Sequence, residues 1–397
     1  MPRHARRSPI SIAAQRRSRA AVVLAAGLLS AGLLAASSAP LAAQERVETA
    51  AGPMWLESVA QGLVHPWGIA ALPQGGFLVT ERPGRLRHVR ADGAVSPPLV
   101  GVPAVADTGQ GGLLDVTLAP DFATSREVYL TFAENRDGGA ATSLARGRLN
   151  AGLTALEDVE ILFRAQPALR GGRHFGSRVV VAPDGESLFV TLGDRGADAS
   201  AQDLMQHHGK VVRLTRDGAP FPGNPFLDRD DALPEIWSYG HRNPQGAALE
   251  PGTGRLFTAE MGPRGGDEIN APQPGVNFGW PLVSDGSQYS GIPIPNHTTD
   301  TGLEPPLWGW VPSFSPSGIA FYDGELIPAW RGDLVVGALS GQALARLDVE
   351  SGRVVSEEII PLGRRIRAVT EGADGALYLL VDDDRGALLR LAPAGAG

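Results

Sequence analysis

The chain has 397 residues, a formal net charge of −8, no cysteine, 51 Gly and 32 Pro. The lack of cysteine excludes disulfides, thiolate metal sites, iron–sulfur clusters and covalently attached haem, so any redox chemistry needs a non-covalent cofactor. The many Gly and Pro residues argue against long helices, while a hydrophobic share of 43% is enough for a large core.

The first 43 residues have the layout of a secretory signal. Residues 1–19 carry six Arg and no acidic residue, residues 20–36 are largely apolar, and small residues precede Gln44. An uncleaved anchor is the alternative, but Gly and Ser inside the apolar run weaken it. We therefore predict a signal peptide over residues 1–43 and a mature protein that is periplasmic or secreted.

Removal of residues 1–43 lowers the net charge to −14. Such an acidic chain argues against nucleic acid as a partner. No later stretch approaches the ~18 consecutive apolar residues of a spanning helix, so we predict no membrane span in the mature chain.

From residue 44 onward, one pattern occurs six times: a short β-rich run, a few turn residues and a second run that opens near Gly. The first runs begin at Phe77, Val128, Leu188, Leu256, Leu334 and Leu377. Their spacing is typical of four-stranded propeller blades with long insertions. We therefore predict one all-β domain over residues 44–397, a six-bladed β-propeller of four-stranded antiparallel blades, with residues near Trp55 closing the ring. A β-sandwich is the alternative, but 354 residues are many for one.

Several polar residues in the predicted loops can carry chemistry, although the common serine hydrolase, nucleotide and zinc-protease motifs are absent. His174 lies among Gly and Arg before a predicted strand, where nearby cations would keep it neutral, as a general base requires. Arg242 and Asn243 are adjacent in a Gly/Pro-bounded loop, and Arg365 and Arg367 alternate along a strand. This pattern indicates an anion-binding site; solvated surface loops are the alternative.

Five segments together resemble the soluble sugar dehydrogenases that use pyrroloquinoline quinone (PQQ), the glucose/sorbosone dehydrogenase family. They are GQGGLL at 109–114, HFGSR at 174–178, GHRNPQG at 240–246, DEIN at 267–270 and GVNFGWP at 275–281. The resemblance extends from about His65 to Asp382. Members of this family are six-bladed propellers, which agrees with the repeat count.

The resemblance implies a role for each matching residue. His174 falls on the general base that takes the proton from the C1 hydroxyl of an aldose while hydride passes to C5 of the quinone. Arg242 falls on the residue that stabilises the negative charge developing at the quinone. The implied cofactor-binding positions are Gln110, His174, Arg242, Asn243, Arg365 and Arg367.

The resemblance also implies Ca²⁺, held by the main-chain carbonyls of Gly262 and Pro263 and acting as a Lewis acid on the quinone. The implied activity is PQQ- and calcium-dependent oxidation of aldose sugars at C1 to lactones, with electrons passed to an external acceptor. A calcium-dependent lactonase and a non-catalytic carbohydrate-binding propeller are the alternatives.

Two positions depart from the glucose-oxidising members. Arg173 precedes the implied base where those members have an Asp that helps to hold the sugar, so glucose specificity does not follow. Ser340 stands where they place a Lys against the cofactor, which predicts weaker PQQ binding. Trp308, Trp310 and Tyr289 lie in a variable loop region, where they could stack on a sugar or pack between blades.

Overall fold

The computed structural model describes residues 44–297 and 302–395. The predicted signal peptide lies outside these residues. The described part is almost entirely β-structure, with one helical turn, α1 (Phe122–Ser125), and two 3₁₀ turns at Asp198–Gln202 and Pro328–Trp330. No helix in this part of the chain is long and apolar enough to cross a membrane.

The strands are numbered in chain order. The first eight are β1 (Gln44–Thr49), β2 (Gly52–Leu63), β3 (Pro66–Ala71), β4 (Phe77–Glu81), β5 (Arg85–Val89), β6 (Leu113–Leu118), β7 (Glu127–Arg136) and β8 (Gly139–Leu149). The next eight are β9 (Leu156–Arg164), β10 (Val179–Val181), β11 (Ser187–Leu192), β12 (Lys210–Thr215), β13 (Ile236–Tyr239), β14 (Pro244–Leu249), β15 (Leu256–Glu260) and β16 (Asp267–Asn270). The last eight are β17 (Trp308–Trp310), β18 (Pro316–Phe321), β19 (Leu334–Ala338), β20 (Ala343–Glu350), β21 (Arg353–Pro361), β22 (Ile366–Glu371), β23 (Leu377–Val381) and β24 (Gly386–Pro393).

These strands form six antiparallel sheets, the blades of a six-bladed β-propeller, which confirms the predicted fold. Four sheets have four strands each, in the orders β6-β7-β8-β9, β10-β11-β12-β13, β14-β15-β16-β17 and β18-β19-β20-β21. The six β-rich runs of the sequence fall on β4, β7, β11, β15, β19 and β23, so each is the second strand of its blade.

The first and last sheets differ from the other four in their number of strands. The first sheet has only β3-β4-β5, and Val95 makes an isolated bridge to Val89 where a fourth strand would lie. Pro97 and Pro98 follow at once, and proline has no N–H to extend a ladder. The last sheet has five strands, in the order β1-β2-β24-β23-β22, because β1 folds back onto β2.

The propeller ring closes through β2, as predicted from the residues around Trp55. This strand pairs with β24, with Trp55 opposite Ala392 and Leu56 opposite Leu391. Leu56 is buried in an apolar cluster that also contains Trp330 and Leu379. The ring is therefore held together by a pairing between the two ends of the described chain.

The first strands of the six blades surround a channel of about 530 Å³. Asp115 and Arg178 line it and form a buried ion pair, with Nη1 of Arg178 2.9 Å from Oδ1 of Asp115. The other guanidinium nitrogens of Arg178 donate to the carbonyls of Gln245 (2.7 Å) and Arg367 (3.2 Å). Arg178 thus fixes the backbone at the starts of β14 and β22, next to predicted site residues.

The single lysine of the chain, Lys210, is fully buried. Its ammonium group donates to the carbonyls of Ser200 (2.8 Å), Ala201 (3.0 Å) and His208 (2.8 Å). Burial lowers the pKa of Lys210 to about 7. These three hydrogen bonds tie the Asp198–Gln202 turn to the start of β12.

Candidate active site

His174 is buried and lies beside Asp194, a residue of the loop that follows β11. Its backbone has φ of 56°, and its N–H donates to Oε1 of Gln110 (2.8 Å). Nδ1 of His174 lies 2.6 Å from Oδ1 of Asp194. The same carboxylate accepts hydrogen bonds from the N–H of Gly196 (2.7 Å) and from Nε1 of Trp280 (2.8 Å). Asp194 is therefore fixed by its own turn and by the segment of Trp280, and it fixes the imidazole ring in turn.

The charge state of Asp194 determines which ring nitrogen of His174 carries a proton. Burial alone would raise the pKa of Asp194, but the hydrogen bond and charge of His174 outweigh it and hold that pKa below its usual value. An ionised carboxylate can only accept, so Nδ1 is the donor and Nε2 keeps its lone pair. Nε2 has no hydrogen-bond partner among the described residues. His174 is thus oriented as a base.

A close backbone approach brings these groups together. A Cβ on Gly193 would lie 2.2 Å from the carbonyl oxygen of His174 and 3.0 Å from Oδ1 of Asn243. The loop preceding Asp194 can therefore pack against the His174 loop only because position 193 has no side chain. Any other residue at Gly193 would push the carboxylate of Asp194 away from the imidazole.

Arg242 is buried beside this pair and is held by main-chain oxygens. Its Nη1 donates to the carbonyls of Met261 and Gly262, each at 2.8 Å, and its Nη2 donates to the hydroxyl of Tyr289 at 3.2 Å. The guanidinium carbon is 5.2 Å from the ring centre of Trp280. Arg242 therefore has a fixed position and a positive charge that no carboxylate neutralises within ion-pair distance among the described residues.

Unused hydrogen-bond donors cluster at this site. Nε of Arg242 and Nδ2 of Asn243 are buried and have no hydrogen-bond partner among the described residues, and Nε of Arg367, in a neighbouring group, is a third such donor. Oδ1 of Asn243 accepts from the N–H of Gly176 (3.1 Å), so its amide group is fixed. Buried donors are nearly always satisfied in proteins, so these indicate a ligand rich in acceptor oxygens.

A cavity of about 380 Å³ opens beside these residues, within the usual size range for a small-molecule site. Its wall includes Arg173, His174, Asp198, Arg242, Pro263 and Tyr289. Tyr289 is 67% exposed, which leaves its ring face open to the cavity. Burial, and then the charge of Asp194, raise the pKa of Asp198.

Arg365 and Arg367 form a second group around Asp382. Nη2 of Arg367 lies 2.7 Å from Oδ2 of Asp382, and Nη2 of Arg365 lies 3.7 Å from the same oxygen. Burial opposes ionisation of Asp382, but the charge and hydrogen bond of Arg367 lower its pKa to about 2. Nη1 of Arg367 donates to Oε1 of Gln245 (2.7 Å), which links this group to the loop of Arg242 and Asn243.

Two buried carboxyl groups, those of Glu260 and Glu268, lie near Gly262. Glu260 contacts Nδ1 of His241 (3.0 Å), and Nδ2 of Asn270 donates to Glu260 (2.7 Å) and to Glu268 (3.0 Å). Burial, and then the charge of Glu260, raise the pKa of Glu268 well above its usual value. A void of about 10 Å³, the size of one water molecule, is bordered by Glu260, Glu268 and Gly262.

The structure brings together most of the residues that the sequence singled out. Gln110, His174, Arg242 and Asn243 are in one group, Gly262 and Pro263 adjoin it, and Arg365 and Arg367 belong to the neighbouring group around Asp382. Ser340 is exposed and donates to the hydroxyl of Ser315 (2.7 Å). Trp308 and Trp310 form β17, and Trp310 stacks on Phe314 at 5.1 Å, so it packs within the protein.

Two side chains of this arrangement, Asp194 and Glu268, were not singled out by the sequence analysis. Asp194 stands in the motif GDRG at 193–196, which is too short to indicate a partner for His174. The sequence suggested cations around His174, but the group that contacts its ring is the carboxylate of Asp194. Glu268 lies in the segment DEIN, which carries the resemblance but gives no signal of its own role, and Tyr289 was named only as a residue that could stack on a sugar or pack between blades.

Comparison with known proteins shows the family of the chain. The model of the glucose/sorbosone dehydrogenase family matches residues 63–390. An aldose sugar dehydrogenase of Escherichia coli K12, YliI, is 45% identical over 349 residues, which are 85% of this chain and 92% of the relative.

Two solved structures extend the comparison. A crystal structure of glucose dehydrogenase is 48% identical with a TM-score of 0.83, and covers 85% of this chain and 99% of its own. The PQQ-bound form of an aldose sugar dehydrogenase from Streptomyces coelicolor is 30% identical with a TM-score of 0.69. The match covers 85% of this chain and 98% of that structure's chain. Both the sequence match and these structures support the same conclusion: the chain belongs to the glucose/sorbosone dehydrogenase family.

Proposed function

We propose that the protein oxidises aldose sugars at C1 to lactones, with PQQ as its cofactor and an external electron acceptor. The observation that carries the proposal is that His174, held by the buried Asp194, lines a cavity that also exposes Arg242. The names of the relatives support it, because one is an aldose sugar dehydrogenase and another has PQQ bound.

The unused donors of the site fit PQQ, an acidic and oxygen-rich molecule. Arg242 and Asn243 present buried N–H groups without a partner among the described residues, and Gln110 holds the loop of His174 beside them. Arg365 and Arg367 are the candidates for its carboxylates, in exchange for part of their contact with Asp382. When bound, PQQ supplies a carbonyl that accepts hydride from C1 of the sugar.

The residues of the chain then have separate tasks. Nε2 of His174 takes the proton from the C1 hydroxyl, and Asp194 stabilises the imidazolium that forms. Arg242 contributes a fixed positive charge where negative charge develops, without the need to move during the reaction. The ring of Tyr289 offers a face on which the sugar can stack.

We also propose that Ca²⁺ binds at Gly262 and Pro263. The described residues contain no cluster of three or more His, Asp or Glu side chains that would hold a metal ion, so the proposal relies on main-chain oxygens. The carbonyls of Met261 and Gly262 already converge on a cation, the guanidinium of Arg242. Glu260 and Glu268 add carboxyl oxygens nearby, a donor set suited to a hard cation.

The proposed place of action is the periplasm or the medium outside the cell. It rests on the signal-like pattern of residues 1–43, which lie outside the described residues. Reduced cofactor must then be reoxidised by an acceptor that reaches the same compartment.

The test is a dye-reduction assay on the purified apoprotein with PQQ, Ca²⁺ and a panel of aldoses. We expect turnover that requires PQQ and declines with a calcium chelator. His174→Ala should lower kcat by roughly 100-fold or more, while an absorbance titration still shows PQQ binding, because the substitution removes a base and leaves the anchoring side chains in place. No turnover across the panel, or hydrolysis of lactones without PQQ, would refute the proposal.

A further inference from the structure

Arg173, the neighbour of His174, is an exposed cation without a partner. It lines the same cavity as His174, and its side chain makes no hydrogen bond, ion pair or ring contact with any described residue. Arginines of this acidic chain are usually paired; Arg146, for example, reaches three carboxylates within 4 Å. An unpaired guanidinium in a binding cavity is available to an anion.

The backbone of Arg173 is held in place, although its guanidinium group has no partner among the described residues. Its carbonyl accepts a hydrogen bond from Nη1 of Arg195. Its side chain runs across Gly196, where a Cβ would lie 2.9 Å from Nε of Arg173. The N–H of Gly196 is one of the donors that hold Asp194. Arg173 therefore lies over the turn that orients the base.

The balance of charge in the cavity favours an anionic ligand. Its wall carries two guanidinium groups, Arg173 and Arg242, and one carboxyl group, Asp198. Arg242 is occupied by two carbonyls and Tyr289, whereas Arg173 is not. Asp198 forms no ion pair with Arg173, since no nitrogen–oxygen contact within 4 Å joins them.

We propose that Arg173 binds the carboxylate of acidic aldoses, so that uronic acids are preferred substrates of this site; this inference rests on the proposed function. In a uronic acid the carboxylate is attached to C5, which shares the ring oxygen with C1. A base for the C1 hydroxyl and a cation for the carboxylate must then be close neighbours, as His174 and Arg173 are on the cavity wall. Guanidinium and carboxylate pair in a bidentate manner, which adds direction to the charge attraction.

The chemistry at C1 is the same for neutral and acidic sugars. The C1–H bond breaks, hydride goes to the oxidised quinone and the hydroxyl proton goes to Nε2 of His174, which leaves a C1 lactone that retains its carboxylate. The carboxylate of the substrate is not consumed, so Arg173 is a specificity-determining residue.

The experiment compares kcat/KM for glucuronate and for glucose in the full chain reconstituted with PQQ and Ca²⁺. In Arg173→Gln we expect the glucuronate-to-glucose ratio to fall about tenfold, mainly through KM, because the contact exists before and during the reaction. Arg173→Lys should retain part of the ratio. The matched control is Arg170→Gln, which removes the same charge from the same exposed loop but does not line the cavity.

A second measurement needs no substitution. The glucuronate-to-glucose ratio of kcat/KM in the wild-type protein should fall as the salt concentration is raised, because salt screens the charge of a solvent-accessible guanidinium. A PQQ titration of each variant shows whether Arg173 binds the carboxylate of the sugar or a carboxylate of the cofactor. An unchanged glucuronate-to-glucose ratio of kcat/KM in Arg173→Gln would overturn the inference, and so would a loss of PQQ affinity with that ratio unchanged. Glucose turnover would still support the proposed function in either case.

Discussion

At the scale of single residues, the orientation of His174 depends on one carboxylate. Asp194 accepts from Nδ1 at 2.6 Å and is itself held by Gly196 and Trp280. An imidazole without this acceptor can take either tautomer, and only one of them leaves Nε2 free to accept a proton. In the proposed mechanism, the reactivity of the site therefore depends on Asp194 as well as on His174.

Asp194→Asn tests this dependence. The amide keeps the size of the side chain but can donate to Nδ1, which favours the tautomer with a proton on Nε2. We expect kcat for aldose oxidation to fall by roughly 100-fold or more, with little change in PQQ affinity. The measurements are steady-state kinetics and an absorbance titration with PQQ. Wild-type kcat in this variant would show that His174 is oriented by something else.

A second carboxylate, Asp382, links stability to pH. Its folded-state pKa of about 2 is below the value of an unfolded Asp, so its ion pair with Arg367 stabilises the fold above about pH 4 and is lost as pH falls toward 2. Asp382→Asn should lower the free energy of unfolding at pH 7 by roughly 2 kcal/mol. The difference from wild type should shrink between about pH 4 and pH 2.

Urea unfolding of the apoprotein at several pH values measures this difference. Asp384→Asn is the control, because it removes the same charge from an exposed position two residues away. A difference between Asp382→Asn and wild type that stays constant down to pH 2 would contradict the assignment.

At the scale of strands, the second strand of each blade was predictable and the first was not. The second strands are recognisable as β-rich runs before a hairpin, and two of them, β11 and β23, follow Asp-Gly turns. The first strands lie against the channel, and β10 has only three residues, too few for a periodic pattern. The missing fourth strand of the first blade was detectable in principle from Pro97 and Pro98, because proline cannot extend a ladder.

The closing strand β2 carries a stability prediction. Leu56 is 3% exposed and packs in the cluster between the last blades, so Leu56→Ala should lower the free energy of unfolding by about 2–4 kcal/mol through lost burial and a cavity. Val355→Ala is the control, since Val355 on β21 is 50% exposed and its truncation should cost less than about 0.5 kcal/mol. Thermal unfolding checks both, and equal losses would contradict a closure held by apolar packing.

At the scale of the whole molecule, the site is assembled from residues far apart in the chain. Oδ2 of Asp194 accepts from Trp280, which is 86 residues away, and Arg178 donates to the carbonyl of Arg367, 189 residues away. Sequence motifs located Gln110, His174, Arg242 and Asn243 because the family resemblance fixes them. Asp194 was missed because its role depends on which loops meet at the mouth of the propeller, and local pattern carries no such information. For Tyr289, the same limit left stacking on a sugar and packing between blades undistinguished.

The buried Lys210 has a practical consequence for attaching the folded protein to a surface. It is the only lysine, and its ammonium group is enclosed by three carbonyls, so an acylating reagent can reach only the terminal α-amine. We expect intact mass spectrometry to find one label per native molecule and a second after unfolding in urea. Two labels on the native protein would contradict this. Amine coupling should thus tether every molecule to an electrode by one end and in one orientation.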